Sequence, residues 1–245
     1  METNVIHLKE VDSTNRWLRD YHVEKPDCLV VCRADHQTAG RGCGQNTWES
    51  EQGKNLLFSI LIHPDHVMAN EQFILSMAEA LAVKSVLDRY VDGISLKWPN
   101  DIYWHDCKLA GTLIETTLKG NRIERCIFGT GLNVNQKIFI SNAPNPISLV
   151  QILGHEMDCL QLFNKIVSSM VDYFNKLRDG AWEEIRGQYH NCLYRRNEHH
   201  QYRFMDNRIE ELVLQRVESD GRLVLISTRD SQELSFGFKE IEFII

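Results

Sequence analysis

The hydrophobic and polar positions change their period along the chain, and each period predicts a type of element. Residues 28–36 and 54–64 are short runs rich in β-branched and other apolar residues, and they predict two buried strands. Residues 71–90 have a helical period, with four apolar side chains on one face: Ile74, Met77, Ala78 and Leu81. This part of the chain therefore predicts a mixture of strands and helix.

The middle of the chain predicts a hairpin followed by helices. Residues 111–134 read as two strands around Gly120-Asn121, residue types that tolerate positive φ at a turn. The region that begins at Ser148 has a helical pattern, and Asp158 has a side chain suited to cap its main helix.

From about residue 195 the pattern changes to short alternating strands, with Asp220-Gly221 as a hairpin turn. We therefore expect an α+β domain over residues 1–194 and a small β-barrel-like domain over residues 195–245. The boundary between them is defined to within a few residues.

Composition and charge limit the classes of partner. The formal net charge of −7 argues against general binding of nucleic acid or anionic membranes, both of which attract basic surfaces. The first residues have no apolar core of a signal peptide, and no run approaches the ~18–20 apolar residues of a membrane helix. Seven scattered cysteines indicate free thiols in a reducing cytosol, and the ten histidines show no metal-ligand spacing. We expect a cytoplasmic protein.

A glycine-rich loop follows the first predicted strand. Residues 34–48 place three glycines around Arg41: Gly40, Gly42 and Gly44. Glycines let a backbone approach a ligand and direct its N–H groups at an anion, and arginine adds a planar cation. A flexible surface loop explains the same residues equally well. The pattern is neither a Walker A loop nor a dinucleotide fingerprint.

A second candidate is the segment KWPNDIY, residues 97–103. Pro99 restricts the preceding Trp98 to extended geometry, which indicates a formed turn. Asp101 has the chemistry to hold Mg²⁺, and Asn100 to orient oxygen atoms. On these residues alone, an Asx-turn that leaves Lys97 in solvent is the simpler interpretation.

Glycines also interrupt two predicted strands. Lys108 begins an apolar strand that contains Gly111, and Gly129 and Gly131 interrupt the next strand before Asn133. If the strands pair as the hairpin predicts, their glycines lie together and leave a trough for a ligand. A β-bulge is the alternative explanation.

Polar residues near the start of the chain complete the set. Asp12 or Ser13 is expected to cap a short helix, which places Ser13, Thr14 and Asn15 at a helix N-terminus. Their polar groups can hydrogen-bond a neutral head such as a ureido ring. Combined with the loop, the lysines and the glycines, this pattern suits a pocket in which ATP activates a small acid.

Five motifs, in this order and spacing, resemble those of the bacterial biotin–protein ligases. They are STN at 13–15, AGRG…W at 39–48, KWPNDI at 97–102, KLAG at 108–111 and GTGLNVN at 129–135. The resemblance runs from about residue 5 to residue 245. It implies a mixed sheet flanked by helices, as in class II aminoacyl-tRNA synthetases, with a small C-terminal SH3-like β-barrel.

The resemblance also implies an activity and roles for individual residues. The family joins biotin to ATP, forms biotinyl-5′-AMP and passes the biotinyl group to a lysine of a biotin carboxyl carrier domain. The residues implied to bind biotin are Ser13, Thr14, Asn15, Gln37, Gly40, Arg41, Gly42, Cys43, Lys108, Gly111 and Gly129. Those implied to bind ATP or the adenylate are Arg41, Trp48, Lys97, Asn100, Asp101, Lys108 and Asn133. Lys108, Arg41 and Asp101 would be catalytic, and Asp101 would serve Mg²⁺.

Two departures from the family pattern affect these expectations. After GRG the family loop usually continues with Arg or Gln, whereas this chain has Cys43-Gly44-Gln45. We therefore expect weaker retention of the adenylate, unless Gln45 and neighbouring amides substitute. The chain also starts close to the catalytic motifs, without the ~60 residues of a helix-turn-helix, so DNA binding is not expected.

Two alternatives come from neighbouring functions. A lipoate or octanoate ligase resembles this architecture, but has a different glycine loop and lacks KWPND. A sensor that binds biotin or nucleotide without catalysis would be favoured by loss of Lys108 or Asp101, and both are present. The sequence leaves open which carrier is modified and whether a homodimer forms, although the hairpin and the tail offer strand edges.

Overall fold

A computed structural model of the chain describes residues 1–23, 25, 27–44, 46–141 and 143–245. The strands are β1 Glu2–Val11, β2 Cys28–Gln37, β3 Leu56–Ile62, β4 Ile94–Lys97, β5 Asp101–Trp104, β6 Cys107–Lys119, β7 Arg122–Leu132, β8 His199–Phe204, β9 Ile209–Val217, β10 Leu223–Ser227, β11 Glu233–Phe236 and β12 Ile241–Phe243. The α-helices are α1 Thr14–Arg19, α2 Phe73–Leu87, α3 Leu149–Leu153, α4 Cys159–Arg178 and α5 Trp182–Asn191.

The first seven strands form one sheet in the order β1-β2-β3-β7-β6-β5-β4. β1 and β2 run parallel, and the other neighbouring pairs are antiparallel. The predicted mixed sheet flanked by helices is confirmed. The β6–β7 hairpin also forms as predicted, with Gly120 at φ 62° in its turn.

Both faces of the sheet are covered at β2. Leu29 and Val31 pack into the large core shared with α2 and α4, whereas Val30 and Cys32 pack with Leu18 of α1 on the opposite face. Because successive side chains of a strand point to opposite faces, a strand covered on both sides is apolar throughout. The short apolar runs that predicted β2 and β3 have this cause.

The predicted helix of residues 71–90 is α2, preceded by a 3₁₀ turn at Ala69–Glu71. The four residues of its predicted apolar face are all buried, namely Ile74, Met77, Ala78 and Leu81. The burial extends well beyond that face and includes Glu79, because α2 lies between the sheet and helices α4 and α5.

The helical region after Ser148 is divided into three helices, which its pattern did not predict. Gly154 at φ 79° ends α3, and Gly180 at φ 87° lies between α4 and α5. Glycine adopts this left-handed backbone at little cost, so it commonly follows the last helical residue. Asp158 caps α4 as predicted, because its side chain accepts a hydrogen bond from the Gln161 N–H at 3.0 Å.

The C-terminal strands form a second, antiparallel sheet in the order β11-β10-β9-β8-β12. Five antiparallel strands are consistent with the expected C-terminal SH3-like domain, and β11 and β12 are the edge strands of this sheet within the described residues. The predicted turn at Asp220-Gly221 lies between β9 and β10, with Gly221 at φ 92°. The division into domains near residue 195 stays a prediction.

In the part of the chain that the structure describes, no helix is both long enough and apolar enough to cross a membrane.

Candidate active site

A cavity of about 220 Å³ lies where the glycine-rich loop after β2 faces β6, β7 and the turn between β4 and β5. It brings together all but two of the residues implied to bind biotin or ATP. Those lining it are Ser13, Thr14, Asn15, Gln37, Arg41, Gly42, Cys43, Trp48, Lys97, Asn100, Asp101, Lys108, Gly111 and Gly129. Their positions agree with one site, while their individual roles stay predictions.

The floor of the cavity is the predicted glycine trough. Gly111 of β6 lies directly opposite Gly131 of β7, and Gly129 lies opposite Leu113. A Cβ on Gly129 would stand 2.0 Å from Asn15 Oδ1, and one on Gly131 would stand 2.3 Å from the Trp48 ring. Between β6 and β7 the register irregularity lies farther along, after Thr117, so these glycines are regularly paired there and serve close approach. A separate irregularity between β5 and β6 lies at Leu109, two residues before Gly111.

One end of the cavity is built around the N-terminus of α1. Ser13 occupies the N-cap position as expected, but neither its side chain nor that of Asp12 caps the helix. Instead Gln37, on β2, accepts hydrogen bonds at Oε1 from the Thr14 N–H at 2.8 Å and the Thr14 hydroxyl at 2.9 Å. The predicted N-cap at Ser13 is confirmed in position, while the acceptor for the first turn comes from the neighbouring strand β2 and not from a capping side chain.

Ser59 of β3 joins this end and was missed by the sequence analysis. Its buried hydroxyl lies 2.7 Å from Thr14 Oγ1 and 2.6 Å from Asn15 Oδ1. A polar residue inside the apolar run LLFSILI was the available signal, since a buried hydroxyl must find a partner. The Asn15 Nδ2 group in turn donates to Leu113 O at 3.3 Å and to Glu115 Oε2 at 3.0 Å.

The hydrogens of this network can be counted. The Thr14 and Ser59 hydroxyls take part in three contacts, with each other, with Gln37 Oε1 and with Asn15 Oδ1. Two hydroxyls supply only two hydrogens, so one of the three contacts lacks a hydrogen. Both Nδ2 hydrogens of Asn15 are already used, so its Oδ1 presents an acceptor. This end of the cavity therefore suits a ligand that donates N–H bonds.

The other end of the cavity is cationic. Lys108 Nζ lies 2.6 Å from Asp101 Oδ1 and 5.7 Å from the centre of the Trp48 ring. The turn that carries Asp101 is fixed to the floor, because Asn100 Nδ2 donates to Thr112 O at 2.6 Å and the Thr112 N–H donates to Asn100 O at 2.9 Å. This arrangement holds one lysine with its carboxylate at the edge of the trough.

Lys97 is half-buried, so the interpretation that leaves it in solvent is wrong. Its Nζ lies 4.6 Å from the centre of the Phe243 ring and 5.2 Å from that of Tyr103, both within the range of a cation–π contact. Burial lowers the pKa of Lys97, and the nearby Asp101 carboxylate works in the opposite direction.

Arg41 lies at the mouth of the cavity. Its Nη1 is 3.4 Å from Glu115 Oε1, an atom that also accepts from Arg19 at 2.6 Å. Since Glu115 Oε2 holds Asn15, one carboxylate links the predicted biotin-binding amide to the predicted catalytic arginine. Arg41 is exposed in this arrangement, so it can turn towards an anion without breaking buried contacts.

The departure at Cys43 is visible in the cavity wall. Burial raises the pKa of the Cys43 thiol, and the Asp101 carboxylate raises it further, so the thiol is neutral. Next to it, a Cβ on Gly44 would stand 2.6 Å from Lys239 Nζ of the C-terminal segment. Gln45, which the sequence offered as a substitute, lies outside the described residues.

Two predicted site residues do not line the cavity. Gly40 supports the loop instead, since a Cβ there would stand 2.7 Å from the Trp48 carbonyl oxygen. Asn133 is buried behind the floor, where its Nδ2 donates to Ile147 O at 3.0 Å. Its Oδ1 has no hydrogen-bond partner among the described residues.

Other residues of the site gave no clear signal in the sequence. Thr112 and Thr130 line the floor, and Phe238 reaches the cavity from the C-terminal segment. Below the floor, Glu79 of α2 is 2% exposed, and its Oε1 accepts from the Thr112 hydroxyl at 3.0 Å and the Thr130 hydroxyl at 2.9 Å. Burial raises the pKa of Glu79 to about 7, although these two hydrogen bonds oppose the change.

This pKa predicts a pH-dependent stability. Because the pKa of Glu79 is near 7 in the folded protein and 4.5 as a free side chain, ionisation of this carboxyl costs no stability below pH 4.5. Its destabilising effect grows from pH 4.5 to pH 7 and is complete above the folded pKa. The difference in unfolding free energy between Glu79→Gln and the wild type is expected to shift in favour of the variant by about 2 to 3 kcal/mol as the pH is raised from about 5 to about 9. Urea unfolding of both proteins across this range measures the difference, and a constant difference would contradict the shifted pKa.

The donor set fits Mg²⁺ only in part. Asp101 is the one acidic side chain among the described residues that line the cavity, and no group of three His, Cys, Asp or Glu side chains suited to a metal is found there. Mg²⁺ is commonly held by one or two carboxylates together with substrate phosphates. Asp101 therefore suits a magnesium ion that arrives with a nucleotide.

Comparisons with known proteins agree with this geometry. Residues 8–133, just over half of the chain, match the family described as biotin/lipoate A/B protein ligase. The chain is 33% identical over 135 residues to the bifunctional ligase/repressor BirA of Bacillus subtilis, covering 53% of the chain and 40% of that protein. It is 35% identical over 114 residues to the biotin–[acetyl-CoA-carboxylase] ligase of Mycobacterium tuberculosis, covering 44% and 40%. The chain thus spans about two fifths of the length of these curated relatives.

A solved structure extends the likeness beyond the matched segment. The biotin protein ligase from Aquifex aeolicus in complex with biotin and ATP superposes with a TM-score of 0.81 and 25% identity, covering 98% of both chains. The C-terminal sheet is therefore included in the shared fold.

Proposed function

The chain belongs to the biotin/lipoate A/B protein ligase family, and on that premise we propose that it is an ATP-dependent biotin–protein ligase. It converts biotin to biotinyl-5′-AMP and transfers the biotinyl group to a lysine of the biotin carboxyl carrier domain of a biotin-dependent carboxylase. The observation that carries the proposal is one cavity with an N–H-accepting end at Asn15 and Ser59 and a cationic end at Lys108.

The accepting end suits the ureido ring of biotin. A ureido group has two N–H donors and one carbonyl acceptor, and the network around Thr14 and Asn15 lacks a hydrogen. One ureido N–H donates to Asn15 Oδ1. The Ser13 hydroxyl, which also lines the cavity, is available to the ureido carbonyl. A ligand without these N–H groups leaves buried polar groups unpaired, which costs binding free energy. This end therefore selects for ligands that carry them.

The cationic end suits the chemistry of adenylate formation. A carboxylate oxygen of biotin forms a bond to the α-phosphorus of ATP, and the bond from that phosphorus to the pyrophosphate oxygen breaks. Lys108 offsets the repulsion between the two anions and stabilises the charge that develops at phosphorus. The Asp101 carboxylate at 2.6 Å holds the ammonium group in place.

Arg41 and Trp48 serve the nucleotide in this proposal. Arg41 exchanges its contact with Glu115 for the carboxylate or phosphate, where its planar group donates two parallel bonds. Trp48 packs against the adenine. When bound with ATP at Asp101, Mg²⁺ supplies further neutralisation of the phosphates. In the second step the carrier's lysine amine attacks the acyl carbon of biotinyl-5′-AMP, and AMP leaves with the oxygen.

The decisive experiment uses biotin, Mg·ATP and a biotin carboxyl carrier domain, followed by intact mass of the carrier. We expect one biotinyl group on the carrier and none without ATP. Lipoate in place of biotin, in the same reaction and in ATP–pyrophosphate exchange, tests the related ligase activity. If lipoate supports ATP–pyrophosphate exchange and biotin does not, the protein is a lipoate ligase and the proposal is wrong. If the protein binds biotin and ATP but never labels the carrier domain, it is a non-catalytic sensor and not a ligase.

Retention of the intermediate is expected to depend on residue 43. Because the neutral Cys43 thiol cannot pair with a phosphate, the Cys43→Arg variant should release biotinyl-5′-AMP about 10-fold more slowly, as expected of one added charge-assisted hydrogen bond. A rapid-dilution assay of preformed adenylate measures the release rate. Thr116→Arg adds the same charge at an exposed position on β6 and is the control. Equal release rates in wild type and Cys43→Arg would refute the role of this position.

A further inference from the structure

Glu79 is an unusual residue for the centre of α2. It is 2% exposed, and it lies in a helix whose other buried residues are all apolar. A buried carboxyl costs free energy unless it is well hydrogen-bonded, and apolar residues of similar volume commonly replace buried polar groups without loss of stability. Leucine at 79 with valine at 112 and 130 would fill the same space, so packing alone does not explain this polar trio.

The partners of Glu79 belong to the cavity floor. Thr112 follows Gly111 on β6, and Thr130 lies between the two glycines of β7. The two threonines are paired directly across the strands, and their hydroxyls are 3.2 Å apart. Since both also line the cavity, the Glu79 carboxyl fixes the part of the floor on which a ligand would rest.

From Thr112 the same set of bonds continues to the cationic end. Thr112 and Asn100 exchange two hydrogen bonds, at 2.9 Å and 2.6 Å, and Asp101 follows Asn100 in the turn. Asp101 then holds Lys108 at 2.6 Å. A continuous chain of short polar contacts therefore connects the rigid helix α2 with the proposed catalytic lysine.

We propose that Glu79 is a positioning residue of the ligand cavity, which holds Thr112 and Thr130 and thereby fixes the floor and the turn that carries Asp101. The inference rests on the proposed ligase function and adds a residue that does not touch the substrate. In this proposal, the residue that fixes the geometry of the site lies in α2, on the opposite side of the sheet from the ligand.

The test compares three variants in biotin-dependent ATP–pyrophosphate exchange. Glu79→Leu removes the acceptor, Glu79→Gln retains an acceptor oxygen, and Glu210→Gln alters a buried carboxyl of the C-terminal sheet as a control. We expect Glu79→Leu to lower kcat roughly 10- to 100-fold per folded molecule, as for a small displacement of catalytic groups. Glu79→Gln should restore most of kcat, and Glu210→Gln should leave kcat and KM unchanged.

A purely structural role predicts a different result. In that case Glu79→Leu lowers the melting temperature, but kcat and KM per folded molecule equal those of the wild type, and the inference is overturned. If Glu79→Leu does not fold, the double variant Thr112→Val with Thr130→Val conserves volume and must show the same loss of kcat. Wild-type kcat in that double variant also overturns the inference. An inactive wild type would refute the ligase proposal itself, and this inference with it.

Discussion

Replacing Lys108 with alanine is expected to slow formation of biotinyl-5′-AMP by roughly 100- to 1,000-fold, the usual effect of losing one preorganised electrostatic partner. Lys108 Nζ is the cation closest to Asp101 at the edge of the trough, at 2.6 Å. Without it, Arg41 and Lys97 are the remaining cations among the described cavity residues that can offset the repulsion between the biotin carboxylate and the α-phosphate. Single-turnover measurement of adenylate with saturating biotin and ATP reports this step directly.

The variant also leaves Asp101 without its partner, so a matched control is needed. Lys84 of α2 forms an ion pair of similar length, 2.7 Å, with Asp88 outside the cavity. Lys84→Ala removes such a pair without touching the site, and we expect it to form adenylate at the wild-type rate. Binding of biotin alone should change far less than the rate in Lys108→Ala, because the ureido end is intact. A wild-type rate in Lys108→Ala would refute the assignment.

The parts of the fold that follow from local periodicity were predictable from the sequence. Strands β2 and β3 and helix α2 each carry a pattern whose physical cause is burial by neighbouring layers. The β6–β7 hairpin was also accessible, because a short glycine-containing turn joins the two apolar runs. Its register was not, because an irregularity after Thr117 shifts the pairing by one residue between the turn and the glycines. This register brings Gly111 opposite Gly131 and so forms the trough.

What the sequence did not predict depends on contacts between distant segments. Ser59 reads as one polar interruption in an apolar strand until Thr14 and Asn15 are placed beside it. Glu79 reads as part of a polar helix face, because the pattern contains no sign that the opposite side of α2 is also covered. Phe238 lies between β11 and β12 of the C-terminal sheet and reaches the cavity from there. Such contacts are tertiary, and no local period encodes them.

Changing Gly129 to alanine is expected to weaken biotin binding by about 100-fold, or about 2 to 3 kcal/mol, by displacing a preorganised acceptor. A Cβ at this position would stand 2.0 Å from Asn15 Oδ1 and 2.6 Å from its Cγ, so the amide must move. It then loses its contacts with Ser59 and Glu115 and projects into the space proposed for the ureido ring. Isothermal titration with biotin measures the loss.

The fold should survive this change, because Gly129 has ordinary strand geometry and alanine tolerates it. Gly187 of α5 is the control, since a Cβ there meets nothing within 4 Å and alanine favours helix. Gly187→Ala should bind biotin as the wild type does and melt at an equal or higher temperature. Biotin affinity equal to wild type in Gly129→Ala would remove Asn15 from the binding site. A loss of affinity in both variants would trace the effect to the fold and not to Asn15.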